Sequence, residues 1–405
     1  MGDRYGVERD DDDPGKQRFS LVVGGPFSAL LDRCGLLGPD KLPTAGAALL
    51  LGGLAWLLPA ACALVQGLLD PAYDGTRYFE DPSTLARLFI AITVMVGTER
   101  HADRRVLQIA SEFWQERLVV GEARARFFEL LRAADRQSAS PLLQCVLLLA
   151  VFIGAGRAAA YTLQVEKTGW EGALLANGEV ALSWAGTVAR YFSVPLFEFL
   201  VLLWFWRLGV WSLLLYRVAR LPLQLAPLHA DRCAGLGFVG LFPGIFRGLV
   251  FALSCVVASL LLKDVEAGQA GHSLDLLRNV AALWVMIVLL VFVGPLLVFY
   301  QPLYSLREAE LMNIGRVANK WYRHHHGRLV EGAAQPAREE GEDAGAPALG
   351  ELDTAIEALR AIQAVPVDRA ALMQLLGAAL APLGAAAATQ MPLRQLVGSV
   401  LGFMI

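Results

Sequence analysis

The sequence predicts an all-α protein that crosses a membrane several times. Of its 405 residues, 56% are hydrophobic and only 18% are charged, and its mean hydropathy of +0.48 exceeds that of ordinary soluble domains. Uncharged runs at 42–69, 279–306 and 370–393 are longer than the roughly 20 residues that a bilayer core requires. We therefore predict a polytopic helical bundle of about seven transmembrane helices with amphipathic helices on its cytoplasmic side.

The apolar stretches predict seven spans. These lie at 44–66, 85–98, 141–160, 188–216, 247–262, 277–300 and 370–388. The second is the shortest, because only eleven uncharged residues separate Arg87 from Glu99. The fourth, at about 29 residues, is roughly 43 Å long and is expected to protrude into the cytoplasm.

The ends of these spans divide the chain into four parts. They are a partly disordered cytoplasmic segment at 1–43, a six-span membrane domain at 44–306, cytoplasmic helices with a flexible acidic linker at 307–369, and the seventh span with its tail at 370–405. Within the membrane domain, residues 99–140 contain eight arginines and apolar positions at helical spacing. That pattern predicts two cytoplasmic amphipathic helices broken at Gly121.

The basic residues predict the orientation. The segments on one side of the predicted spans hold 25 Lys and Arg residues, and those on the other side hold four. By the positive-inside rule the N-terminus is cytoplasmic, and seven spans place the C-terminus outside. The start of the chain, with Asp10–Asp13, lacks the basic-then-apolar order of a signal peptide. The five cysteines do not suggest an exported disulfide framework.

The chain is expected to be organised around the stretch 187–248, a long apolar helix followed by the polar segment LQLAPLHADRCAGLGFVG. A proline and three glycines predict a turn, on which His229 and Asp231 are able to face one ligand or proton path. Alternatively, His229, Asp231 and Arg232 cap helices and pair with lipid headgroups. Two groups do not make a metal site, and consecutive residues such as His324–His326 diverge by about 100° on a helix. We expect no metal or other cofactor.

Three glycines of this segment match a nucleotide-binding pattern. Gly235, Gly237 and Gly240 fit GxGxxG, but no strand is predicted before them and a span follows directly. Gly240, Gly244 and Gly248 instead recur every four residues, which is typical of a small-residue stripe that lets another helix approach closely. Because no Walker A, HExxH or GxSxG pattern occurs, we do not expect an enzyme.

Four charged residues lie inside predicted spans. They are Arg157, Arg190, Glu198 and Arg207. Glu198 and Arg207 lie on opposite faces of one helix and roughly 13 Å apart along its axis, so they cannot pair with each other. An unpaired charge in hydrocarbon costs at least about 2.5 to 3.5 kcal/mol on insertion scales. Arg157 and Arg190 are candidates to pair with Glu198, as structural ion pairs or as part of a permeation or gating element.

Several motifs resemble a family of uncharacterised bacterial multi-pass integral membrane proteins. They are VPLFEF (194–199), WFWRLGVW (204–211), APLHADRCAGLGFVG (226–240), VGPLLV (293–298), VPVD (365–368) and PLRQL (392–396). The resemblance implies an inner-membrane location and carries no activity with it. The family pattern has a proline after the histidine and a second glycine before Gly235, where this chain has Ala230 and Ala234.

Transport of a small solute or ion through an oligomer is the function that we expect. The intramembrane charges, the kinks predicted at Pro59 and Pro295 and the small-residue seventh span favour it. The rival is a membrane scaffold or sensor whose cytoplasmic helices bind a partner, and a membrane enzyme that uses His229 and Asp231 comes third. Expected partners are the lipid bilayer and further copies of the chain, with no nucleic acid.

Overall fold

The computed structural model describes residues 19–71, 73–165, 169–174, 180–266, 273–330 and 349–390. The first helices are α1 (Gly25–Arg33), α2 (Ala45–Leu69), α3 (Arg77–Glu80), α4 (Pro82–Thr84), α5 (Ile92–Gln115), α6 (Glu122–Ser138) and α7 (Pro141–Val165). They are followed by α8 (Trp184–Val188), α9 (Val194–Val218), α10 (Phe242–Ile245), α11 (Arg247–Glu266), α12 (Ser273–Val293), α13 (Tyr300–Val330), α14 (Leu349–Arg360) and α15 (Arg369–Gln390). The acidic linker at 331–348 and both termini, 1–18 and 391–405, lie outside the described residues.

Shorter elements interrupt or join these helices. Two π-helical segments, Leu85–Ala91 and Ala189–Ser193, lead into α5 and α9, and two 3-10 segments, Gly237–Leu241 and Gly294–Phe299, lead into α10 and α13. The second 3-10 segment contains Pro295, where a kink was expected, whereas Pro59 lies inside an uninterrupted α2. Strands β1 (Gly172–Leu174) and β2 (Val180–Leu182) pair antiparallel between the third and fourth predicted spans. The fold is thus almost entirely helical.

Six helical stretches of the described chain are long and apolar enough to cross a membrane. They are Ala45–Leu69, Glu122–Gly154, Trp184–Val218, Gly237–Lys263, Leu277–Lys320 and Arg369–Thr389. Large apolar side chains remain exposed on α2, α7 and α12, including Leu57, Leu149 and Leu290, as expected of surfaces that contact lipid. The prediction of an all-α membrane helical bundle is confirmed.

The predicted second span, 85–98, is not one of these six stretches. Its apolar part is short because Arg87 precedes it and Glu99 follows it. Yet Leu88, Ile92 and Met95 are all 0% exposed, so other helices rather than lipid surround this segment. A helix shielded by protein does not need a long apolar sequence to lie at membrane depth. In the described residues, six stretches therefore meet the length and apolarity requirements, where about seven spans were predicted.

Helix α9 lies at the centre of the main hydrophobic core. Two of its three tryptophans, Trp204 and Trp211, are 2% and 0% exposed. The ring of Trp204 lies 5.9 Å from that of Phe246, and the ring of Trp211 lies 6.5 Å from that of Phe242. The chain around α10 thus packs back against α9, and the polar segment 223–240 lies between these two helices.

The cytoplasmic layer predicted at 99–140 consists of the second half of α5 together with α6. Gly121, with a φ of +55°, forms the N-cap of α6 and separates the two helices. Phe113 of α5 and Phe127 of α6 are both 1% exposed, and their ring centroids are 5.5 Å apart. The apolar faces of the two helices therefore pack on each other and on the rest of the core.

Candidate functional site

The polar segment between α9 and α10 is organised by the carboxylate of Asp231. Its Oδ1 accepts hydrogen bonds from the backbone N–H groups of Cys233 at 2.9 Å and Gly235 at 3.2 Å, and its Oδ2 accepts one from Gly237 at 2.7 Å. Partial burial raises the pKa of Asp231, but these backbone hydrogen bonds and the contact with His229 more than offset it and hold that pKa below its usual value. Asp231 is thus ionised and holds the loop together.

His229 lies beside this carboxylate and is accessible. Its Nδ1 is 2.9 Å from Oδ1 of Asp231, and its side chain is 42% exposed. Nδ1 also lies 3.4 Å from the backbone nitrogen of Asp231, but the shorter contact with the carboxylate requires Nδ1 to carry the proton. A carboxylate that holds Nδ1–H leaves Nε2 as the nitrogen available to an external group. The structure brings these two predicted residues together.

Arg232, the third predicted residue of the turn, contributes its backbone rather than its charge. Its side chain is exposed, its φ is +57°, and its carbonyl accepts a hydrogen bond of 2.8 Å from the backbone N–H of Gln363. Ala234, where the resemblance suggests a glycine, is buried and also has a positive φ of +54°. A left-handed backbone costs roughly 1 to 2 kcal/mol for a residue with a side chain. The loop therefore keeps a glycine-like conformation without the glycine.

An open cavity of about 440 Å³ borders His229. Its other lining residues are Ala226, Pro227, Leu228, Glu310, Ile314 and Leu359, from the loop, α13 and α14. The lining is largely apolar, with His229 and Glu310 as its two titratable groups. Glu310 was not singled out from the sequence, because an acidic residue on an amphipathic helix resembles an ordinary solvated one.

The three predicted packing glycines have three different neighbours. A Cβ atom on Gly240 would lie 2.6 Å from the backbone nitrogen of Asp368, and one on Gly248 would lie 2.4 Å from Cγ2 of Thr98. A Cβ atom on Gly244 would lie 3.5 Å from that of Ala371, an ordinary contact. Close approach thus occurs at the first and third positions, against the segment before α15 and against α5. Helix α9 and a loop, not a strand, come directly before the GxGxxG pattern in the described chain, so the strand–turn–helix context of a nucleotide-binding site is not present there.

Arg207 pairs with a residue that was not predicted. Its Nη1 lies 2.7 Å from Oε1 of Glu99 on α5, and the two side chains are 5% and 1% exposed. Asp103, one turn later on α5, adds a second negative charge near Arg207. Oδ1 of Asp103 accepts hydrogen bonds from the Ser20 hydroxyl at 2.6 Å and from the backbone N–H of Leu21 at 2.9 Å. The segment before α1 therefore covers this buried charge cluster.

Two of the other charges inside predicted spans, Arg190 and Glu198, also interact with opposite charges. Nη2 of Arg190 lies 3.7 Å from Oε2 of Glu171, and the Arg190 side chain is 9% exposed. The cation that acts on Glu198 is Arg87, from the π-helical segment before α5. Arg190, one of the two candidates for Glu198, is thus engaged with Glu171 instead. Arg157, the other candidate, lies on α7, but its side chain lies outside the described part of the chain.

Sequence reasoning missed Glu99, although a signal for it was available. On α5 it follows Met95 by four residues and precedes Ala102 by three, which places it on the buried face of that helix. Within the described residues no cluster of His, Cys, Asp and Glu is placed to hold a metal ion. The side chains of His324–His326 are outside that part.

Comparison with known proteins does not assign the chain to a family. No family model, no curated protein and no solved structure matches it. Its function has to be inferred from its own geometry.

Proposed function

We propose that this integral membrane protein is a scaffold or sensor that binds a protein partner in the cavity beside His229. The cavity lies on the side of the membrane that the basic residues predict to be cytoplasmic. The observation that carries this proposal is the apolar lining left open between the loop, α13 and α14. An apolar surface on a part of the chain that faces water, not lipid, is typical of a binding site.

The shape of this surface suits a helix of the partner. Glu310, Ile314 and Val317 follow one another at helical spacing along α13, and Val317 is 47% exposed. Across the cavity, Leu228 presents a side chain that is 59% exposed. An amphipathic helix recognises such a groove with apolar anchors one turn apart. Glu310 and His229 supply polar contacts at its border.

The intramembrane charges support a structural role more than a permeation path. Arg207 and Glu99 make a direct, buried ion pair, and Arg190 lies beside Glu171. Charges that line a permeation path need access to water or solute. The side chains of Arg190, Arg207 and Glu99 are each no more than 9% exposed. Since each has an opposite charge beside it, their presence is accounted for by packing of the bundle.

One observation favours transport as a second candidate. The Nε1 atoms of Trp204 and Trp211 and the Nε atom of Arg87 are buried, and no described atom accepts a hydrogen bond from them. An unpaired N–H group in an apolar interior is costly. Water or a small anion that entered the bundle would supply the missing acceptors. Anion flux into proteoliposomes containing the purified protein would support this candidate.

Site-specific photo-crosslinking in cells tests the binding proposal. A benzophenone side chain placed at Leu228 or Ile314 is expected to give a discrete adduct of the same mass at both positions. The matched control is Met312 on the same helix, which is 63% exposed but points about 160° away from Ile314. Ile314→Glu should abolish the adduct formed from position 228, whereas Met312→Glu should not.

Three results would contradict the proposal. One is the same adduct from Met312, because the reaction would then not depend on the cavity. Another is an adduct with the mass of a second copy of the chain, which would make the cavity a contact between protomers. The last is the absence of any adduct at Leu228 and Ile314 in cells that produce the folded protein.

A further inference from the structure

A second cavity lies where α6 ends and α7 begins, against the side of α9. Its volume is about 430 Å³, and it is lined by Arg136, Gln137, Ser140, Leu142, Leu143 and Trp206, among others. The first three of these residues are polar, and the last three are apolar or largely so. The cavity therefore has one polar end and one apolar end.

The apolar end continues into the surface that faces lipid. Leu142 is 76% exposed, and further along α7 Val146 and Leu149 are 52% and 61% exposed. Helix α6 has several charged side chains, whereas α7 begins an apolar span at Pro141. The boundary between the two helices thus marks a membrane–water interface. In a bilayer the molecule nearest to this cavity is a phospholipid, with its headgroup level with α6 and its acyl chains along α7.

The polar end has positive charge available. Arg136 is exposed, and none of the ion pairs found in the described chain involves it. The N-terminus of α7, a helix of 25 residues, adds the partial positive charge of its first turn. Ser140 precedes this turn and supplies a hydroxyl group. These groups favour a phosphate that bears a full negative charge.

Trp206 gives the cavity a defined wall. Its indole Nε1–H donates a hydrogen bond of 3.2 Å to the carbonyl of Gln137, which holds the ring between α9 and α6. Tryptophan is enriched at membrane interfaces, because its ring is apolar and its N–H group is polar. Here the N–H group is engaged by the protein, so the ring face remains to contact the glycerol and upper acyl region of a lipid.

We propose that this cavity binds an anionic phospholipid, with the headgroup phosphate against Arg136, Ser140 and the start of α7. Charge selects the headgroup, since a zwitterionic lipid brings its own cation close to Arg136. Basic cavities between transmembrane helices at the interface are known to select anionic headgroups in this way. The site is separate from the cavity beside His229 and does not depend on a partner there.

Native mass spectrometry of the detergent-solubilised full chain tests this proposal. The probes are phosphatidylglycerol and phosphatidylcholine with identical acyl chains. Wild-type protein is expected to retain phosphatidylglycerol in preference, and Arg136→Gln should weaken that binding about fivefold, the usual contribution of one basic residue near such a headgroup. Phosphatidylcholine binding should hardly change. Melting temperature without lipid checks that the variant folds.

The matched control is Arg126→Gln. It removes the same charge from the same helix about 15 Å away, beyond the screening length of salt. Equal retention of the two lipids by the wild type would overturn the proposal, as would equal effects of the two substitutions. Displacement of phosphatidylglycerol by an equal concentration of glycerol 3-phosphate would also overturn it, because the site would then bind soluble anions.

Discussion

Arg207 of α9 and Glu99 of α5 form an ion pair with Nη1 and Oε1 2.7 Å apart, in which neither side chain is more than 5% exposed. The pair joins the central helix to the helix that begins in the predicted second span. Its energetic role is asymmetric. Replacing both partners of a buried pair by apolar residues is often neutral, whereas removing one leaves a buried charge uncompensated.

This asymmetry predicts how single and double substitutions differ. Glu99→Leu should destabilise the protein by about 3 to 5 kcal/mol, because the guanidinium of Arg207 loses its closest counter-charge. Arg207→Leu should cost more, since Asp103 as well as Glu99 then loses a nearby cation. The double variant should be more stable than Arg207→Leu, because Glu99 is no longer left without a cation, although Asp103 still is. Thermal unfolding of the four proteins in one detergent measures these differences.

An additive double variant would show that the two residues stabilise the bundle independently. Glu116→Leu is a suitable control, because it removes an exposed acidic residue from the end of the same helix. It should change stability by no more than about 0.5 kcal/mol.

The extent to which the fold follows from sequence differs between lipid-facing and protein-facing segments. A helix that contacts lipid needs enough consecutive apolar residues, and the spans at 44–66 and 277–300 show this directly. The segment 85–98 is surrounded by other helices, so its sequence needs to match those neighbours and not the bilayer. No local pattern specifies such neighbours. For that reason the sequence identified the bundle but gave a weaker signal at its centre.

The glycine contacts predict different tolerance at two positions of the same stripe. Gly248→Ala should destabilise the protein by about 1 to 3 kcal/mol, because its Cβ would lie 2.4 Å from Cγ2 and 2.8 Å from Cβ of Thr98. Gly244→Ala should be nearly neutral, since its Cβ would make only ordinary contacts, the closest at 3.5 Å from Cβ of Ala371. Thermal unfolding in detergent compares the two variants.

A partial rescue tests whether the contact with Thr98 is the cause. In the background of Gly248→Ala, Thr98→Ala removes the closest atom, Cγ2, and should recover part of the lost stability. Equal melting temperatures for Gly244→Ala and Gly248→Ala would show that the backbone relaxes around the added methyl group. The close approach of α5 and α11 would then contribute little to stability.

The hydrogen bonds of Asp231 predict a dependence of stability on pH. Its pKa in the folded protein is below the ordinary 3.8, so the ionised carboxylate stabilises the fold above about pH 4, and this contribution is lost as the pH falls below that value. Asp231→Asn should cost about 1 to 3 kcal/mol near neutral pH, because its amide group would oppose a backbone N–H. Between pH 5 and pH 3 the variant should lose less stability than the wild type.

Melting curves of the wild type and Asp231→Asn between pH 5 and pH 3 give the difference in stability between the two proteins. Both proteins contain the other carboxylates, so the titration of those groups does not affect the difference. His229→Gln serves as the control, because a half-exposed side chain contributes little to stability. It should melt close to the wild type. Parallel curves for wild type and Asp231→Asn would show that the loop does not depend on the ionised carboxylate.

The candidate site was only partly visible in the sequence. His229 and Asp231 lie two residues apart, so their pairing on a turn could be proposed from local pattern alone. Glu310 and Leu359, which complete the cavity, come from distant helices, and nothing in their own surroundings connects them with the turn. Glu99 was hidden for another reason: a charged residue in an arginine-rich amphipathic segment resembles a solvated one until its helical face is considered.

Labelling of engineered cysteines tests whether the helical segment from Pro82 to Gln115 crosses the membrane. If it crosses the membrane, Glu80 before it and Glu116 after it lie on opposite sides, and the basic residues at 99–140 place Glu116 in the cytoplasm. Both residues are exposed, so cysteine is tolerated at each. In a background without Cys34 and Cys145, Glu80→Cys should react with a membrane-impermeant thiol reagent on spheroplasts. Glu116→Cys should react only after permeabilisation. Reaction of both positions on the same side would show that this segment enters the bundle without crossing, and the six stretches found in the described residues would remain as the candidate spans.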